Sequence, residues 1–114
     1  MVFSKDKLIF LRTGFTDMRK QINGLSEIAQ ASLPESPLSG AYFVFCGKTR
    51  RVIKILYWDA TGFCLWQKRL EADSFPWPGP DEIPSEVTRM QLKALLRGIN
   101  IFSEHKRLEY TSVA

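Results

Sequence analysis

The chain is poor in the residues that build metal and nucleophile sites. Its 114 residues hold two cysteines, Cys46 and Cys64, and one histidine, His105. That set is too small for a zinc site. A disulfide would need favourable strand geometry and an oxidising compartment. Both thiols sit inside β-type apolar runs, where a free cysteine acts as a small hydrophobe. There is no P-loop, no dinucleotide glycine pattern and no Cys/His nucleophile pair. No apolar run approaches the eighteen or so residues of a spanning helix. The start, MVFSKDKLIFLR, is too short and too charged for a secretory signal. A cytoplasmic protein without membrane contact is the expectation. Repeats, low-complexity stretches and domain linkers are missing too.

Hydrophobic residues make up 45% and charged residues 25%, which suits one soluble core. The expected organisation is one domain over 1–100 and a loose C-terminal extension over 101–114. Net charge is +4 and the pI about 9.3. The distribution says more than the total. Between Lys48 and Arg69 lie six bases and one acid, Asp59. Residues 71–86 carry five acids and no base, and residues 89–107 carry five bases and one acid. Such alternation builds surfaces of opposite sign, or a solvated exterior whose charges mix in three dimensions.

Leu8 to Arg12 reads as a short strand, broken by Thr13-Gly14. Thr16 fits a helix N-cap, with Asp17 at the positive end of the helix dipole. Met18, Ile22, Leu25, Ile28, Ala29 and Leu33 recur at helical spacing. They predict a helix over 17–33 with Arg19 and Lys20 in its first turn, closed by Pro34 and Pro37. Residues 41–46 are apolar on both faces, as in a central strand. Gly47 to Arg50 is a tight basic connector.

Residues 51–58 and 63–70 then form a hairpin around Asp59-Ala60-Thr61-Gly62, with Gly62 expected at the φ > 0 position. Pairing Trp58 with Phe63 sets Leu56 opposite Leu65, Lys54 opposite Gln67 and Val52 opposite Arg69. One sheet face then carries Lys54, Gln67 and Arg69 beside Leu56 and Trp58. The other carries Ile53, Ile55, Tyr57, Cys64 and Trp66. Residues 75–84 read as an irregular proline-rich loop. Thr88-x-x-Gln91 is a capping-box pattern opening a helix over 89–97, with Leu92, Leu95, Leu96 and Ile99 on one side and Gly98 at its end. The fold class is α+β, a mainly antiparallel sheet of four to five strands with two helices.

Several motifs together carry a family resemblance. They are Thr16-Asp17-Met18-Arg19-Lys20 with Gly24-Leu25, and Ser39-Gly40 before Phe43-Val44-Phe45. Next come Ile53-Lys54-Ile55-Leu56, Trp58-Asp59 with Gly62-Phe63, Lys68-Arg69-Leu70-Glu71, and Phe75 with Trp77-Pro78. Thr88 with Gln91-Leu92, Leu95-Leu96 and Gly98-Ile99 closes the set. This order resembles the small accessory protein, often called TnpB, encoded by bacterial transposons of the insertion-sequence-sixty-six group. The resemblance covers roughly residues 8 to 100 and implies a part in DNA transposition. Gln21 departs from the family, which usually has glycine there. So does Ser36 before Pro37, where an acid is common.

Catalysis has little in the sequence to stand on. Asp17, Asp59, Asp73 and Glu71 are carboxylates of the kind a Mg²⁺ nuclease uses, but nothing brings them together, and Asp17 and Asp59 suit a helix start and a turn. The expectation is a non-catalytic protein with no cofactor, no metal and no small-molecule substrate. The candidate nucleic-acid contacts are Lys48, Arg50, Arg51, Lys54, Lys68 and Arg69, clustered where connector and strand ends meet, with Arg19 and Lys20 joining them if the first helix starts on that side. Basic residues there neutralise phosphates, or their stems cover sheet edges and discourage aggregation. The tryptophans Trp58, Trp66 and Trp77 favour a core role, with Trp66 expected to be largely buried. The competing function is a protein adaptor that binds the transposase or another transposon-encoded protein. Its candidate surface is Trp77, as an exposed anchor between prolines, with the acidic Asp81 and Glu82.

Overall fold

The computed structural model describes residues 3–79 and 86–101. Its elements run β1 (Ile9–Leu11), α1 (Ile22–Ser32), β2 (Tyr42–Cys46), β3 (Val52–Asp59), β4 (Gly62–Arg69) and α2 (Arg89–Leu96). The strands form one sheet in the order β1-β2-β3-β4. β1 and β2 are parallel, joined by a crossover through α1, and the other two pairings are antiparallel. This is the small, mainly antiparallel α+β fold expected from the sequence.

Period-2 alternation fixes the hairpin. Trp58 pairs with Phe63, Leu56 with Leu65, Lys54 with Gln67 and Val52 with Arg69. No bulge shifts the ladder, so the side chains divide between faces as the pattern required. On one face Phe43, Phe45 and Leu56 pack with Leu25 and Ala29 of α1. On the other, Val44, Ile53 and Ile55 pack with Leu92 and Leu95 of α2 and with Phe3 and Phe75. β2 is buried along its whole length, as a strand covered on both faces must be.

The turn chemistry differs from expectation. Asp59 pairs with Gly62, so Ala60 and Thr61 are the two central residues. The first central residue of such a loop takes φ > 0, and Ala60 does so at 51°. Gly62 is an ordinary strand residue.

Helix α1 begins five residues later than its apolar spacing suggests. Thr16 does not cap it. That residue is buried, its N–H donates to the Cys46 carbonyl at 2.9 Å, and its hydroxyl accepts from Arg12. The Asp17 carboxylate accepts the Arg19 N–H, and the Lys20 N–H donates to the Asp17 carbonyl. This closed turn competes with helix. The carbonyls of Met18 and Lys20 are also taken, both by the Lys54 ammonium. A helix beginning at 17 would need those oxygens for its own ladder. The first helical bond instead runs from the Leu25 N–H to the Gln21 carbonyl. Arg19 and Lys20 therefore lie in the segment before the helix.

Helix α2 follows its sequence signals. Thr88 and Gln91 make both bonds of the capping box, at 3.1 and 2.8 Å. Gly98, at φ 88°, donates to the Leu95 carbonyl and closes the end. Leu92, Leu95 and Leu96 are buried, whereas Ile99, beyond the helix, is half exposed.

Candidate nucleic-acid interface

Backbone bonds bring four separate segments to one end of the sheet. The Gly47 N–H donates to Val52 and the Arg50 N–H to Gly47, which closes the β2–β3 connector. Leu70, just past β4, donates to the Arg51 carbonyl, and Phe75 donates to the Arg50 carbonyl. The segment before α1 reaches the same place, since Thr16 bonds Cys46. Met18 lies against Gly47 closely enough that a Cβ there would sit 2.6 Å from its Cγ.

Lys48, Arg50, Arg51, Arg69, Arg19 and Lys20 are all exposed at this end. Three acids share it. Asp17 grips Arg19 at 2.7 Å; the guanidinium holds its carboxyl down at about 2. Glu71 pairs with Arg69 at 3.0 Å, and its carbonyl accepts from Arg51. Asp73 lies beyond it in the loop, with φ 60°. Both ion pairs sit at i,i+2 spacing, a cue present in the sequence that lowers the effective positive charge. Lys48, Lys20 and Arg50 have no carboxylate partner among the described residues.

Two predicted contacts are changed by the structure. Lys54 is 2% exposed. Its ammonium donates to the Met18 carbonyl at 2.8 Å and the Lys20 carbonyl at 2.9 Å, and burial pushes its pKa down. It does not reach solvent phosphates; it holds the backbone that carries Arg19 and Lys20. Lys68 is half-buried on the opposite face, and its ammonium donates to the Leu96 carbonyl at 3.0 Å. A cleft of about 510 Å³ lies there, lined by Lys68, Asp73, Ser74 and Arg97 among others. Arg97, exposed in that lining, is a cation that the charge pattern alone does not single out.

The adaptor surface changes as well. Trp77 is no exposed anchor. It is 8% exposed, and its indole N–H is shared between the Arg12 carbonyl at 3.2 Å and the Gly14 carbonyl at 2.8 Å. Asp81 and Glu82 lie outside the described residues. Trp66 packs on the expected face, edge-on to Phe3, but remains half-buried. Cys46 is buried and Cys64 half-buried, both as free thiols. Among the described residues, no group of three His, Cys, Asp or Glu converges to hold a metal. No helix among them is long and apolar enough to cross a membrane.

A family model described as IS66 Orf2 like protein matches residues 7–106, beyond the residue-100 limit of the resemblance read from the sequence. Uncharacterized protein y4hO of Sinorhizobium fredii is 36% identical over 92 residues, 81% of this chain and 80% of that protein. Uncharacterized protein y4jC of the same organism is 28% identical over 97 residues, 85% and 83% of the two chains. No solved structure matches the chain. With its hairpin, capping box and basic connector inside the matched span, the chain belongs to the IS66 Orf2-like family of transposition-associated accessory proteins.

Proposed function

We propose that the chain acts in transposition as a non-catalytic factor that contacts the nucleic-acid backbone through the basic end of its sheet. The observation that carries this reading is the convergence of Lys48, Arg50, Arg51, Arg19 and Lys20 from two separate segments onto one exposed surface. Cations so arranged bind phosphates without reading bases. The partner most consistent with the family is transposon DNA, engaged together with the transposase. Lys54 supports the surface from beneath. Burial of Trp77 removes the main anchor of the adaptor reading.

The test is a fluorescence-anisotropy titration on duplexes of unrelated sequence at several salt concentrations. Arg50→Ala with Arg51→Ala should weaken binding to all duplexes about equally and leave the fold intact. Removing one cation that neutralises a phosphate should flatten the slope of log affinity against log salt by roughly 0.9. If the wild type does not bind at low salt, the nucleic-acid reading fails and a protein partner takes its place. If both proteins bind equally, this surface is the wrong one.

A further inference from the structure

The geometry points to β4 as a dimerisation edge: we infer that two copies of this chain pair antiparallel through β4, joining their sheets. β4 is the last strand of the sheet and eight residues long. Its other side is already paired with β3, and the Leu70 N–H bonds the Arg51 carbonyl. Alternation from that bond turns the N–H and C=O groups of Phe63, Leu65, Gln67 and Arg69 outward. Among the described residues no backbone group bonds them.

Of the devices that usually blunt an edge, this one shows only charged side chains among the described residues. It contains no proline, and its register with β3 runs unbroken from Gly62 to Arg69. Phe63 and Leu65 on one face, and Cys64 and Trp66 on the other, are only half-buried. Its charges, Lys68 and Arg69, stand at one end rather than in the middle.

That placement selects a second copy as the occupant. Both sheets keep the same face up across a two-fold axis, so residues of equal parity must oppose one another. Leu65 then meets itself at the axis as an outward-bonding pair, with Phe63 opposite Gln67 and Cys64 opposite Trp66. The basic end of each copy's β4, where Lys68 bonds the Leu96 carbonyl and Arg69 pairs with Glu71, comes beside the hairpin tip of the other, which carries Asp59. Pairing the same way round would set like charges together, which is unfavourable. The opposite sheet edge does not compete. β1 has three residues, Phe10 bridges Glu86, and the Val87 N–H donates to Ile9. One open edge per chain, among the described residues, gives a closed dimer rather than a fibre.

The experiment is sedimentation equilibrium of the full chain from low to high micromolar concentration, for wild type and Gln67→Pro. The Gln67 N–H points away from β3, so proline there removes no bond of the β3–β4 ladder but blocks a partner strand. The expected result is a dimer for wild type, and loss of the dimer in Gln67→Pro with unchanged circular dichroism. If that variant does not fold, Leu65→Lys is read instead; it sets two like charges face to face at the axis and should abolish the dimer. A wild type that is monomeric throughout, or larger than a dimer, overturns the inference. So does a dimer that persists in a folded Gln67→Pro, or in Leu65→Lys where that variant is the one read. A monomeric wild type would leave the edge to the chain's own C-terminal segment or to a foreign strand.

Discussion

The ammonium of Lys54, in the middle of β3, donates to the carbonyl of Met18 at 2.8 Å, and a second bond to Lys20 ties the same segment to the sheet. A lysine on a sheet face beneath a helix is costly to bury unless its donors are met. Here they are met by backbone oxygens that the late start of α1 leaves free. Lys54→Leu keeps the apolar stem and strands both carbonyls. It should cost about 1–3 kcal/mol, typical of buried acceptors left unpaired, read by urea denaturation. Hydrogen exchange should quicken at residues 16–21 while the hairpin stays protected. A loss spread evenly over the sheet would show a packing role instead. The pH dependence follows from the lowered pKa. The folded state releases this proton more readily than the unfolded chain, so the burden of burying the charge fades as pH rises through the folded value toward the ordinary lysine range.

The bond between Lys54 and Met18 also marks how far the sequence could be read. The hairpin was legible because the short Asp59–Gly62 turn sets the pairing, which brings Trp58 and Leu56 opposite Phe63 and Leu65. The capping box of α2 was legible because Thr88 and Gln91 are local partners. The start of α1 was not. Its apolar positions extend back to Met18, but the decision lies with Lys54, thirty-six residues away. Lys54 itself looked like part of a basic surface because charge pattern does not report burial. Burial of Trp77 follows the core role its type favours, but its hydrogen-bond partners, Arg12 and Gly14 at the far end of β1, were equally non-local. The exposure of Arg50 and Arg51 was legible because a short connector between paired strands has nowhere to go but solvent.

Arg50 holds φ at 60°, a left-handed conformation that a side chain with a Cβ resists by roughly 1–2 kcal/mol. Arg50→Gly removes both the charge and the strain. It should stabilise the fold, or leave it unchanged, while weakening any phosphate contact. Arg50→Ala loses the charge but keeps the strain, so it should melt below Arg50→Gly. Thermal melts of the two variants check the order. A glycine variant less stable than the alanine variant would mean that the left-handed backbone at this position holds no strain for glycine to relieve.

Trp77 seals the junction between the end of β1 and the 75–79 segment. Trp77→Phe keeps a ring but leaves the Arg12 and Gly14 carbonyls without the indole donor. Its expected cost is about 1–3 kcal/mol. Trp77→Ala empties a large buried site and should cost about 3–5 kcal/mol. Chemical denaturation of both variants gives the two figures. A phenylalanine variant as stable as wild type would mean that water replaces the indole in satisfying those carbonyls.

The two cysteines should react in sequence. Cys46 is buried in β2, and desolvation pushes its thiol up to about 12. Cys64 is half-buried on β4. Alkylation needs thiolate and access, so a thiol reagent at mildly alkaline pH should modify Cys64 first and Cys46 only on unfolding. Mass spectrometry of the labelled peptides, with and without urea, measures this order. Linkage gives a second consequence. The folded pKa of Cys46 lies above the unfolded one, so the unfolded chain releases this proton first. Its contribution to stability is complete below the ordinary thiol pKa of about 9 and falls as pH rises from there toward about 12. Cys46→Ser has no such titration, and Cys46→Ala leaves a small void without it. The stability of wild type relative to Cys46→Ala should therefore decline over that alkaline range, measured by urea midpoints in a pH series. Parallel curves would show that Cys46 ionises in the folded protein as readily as in the unfolded one. Burial within β2 would then fail as the reason for its inertness.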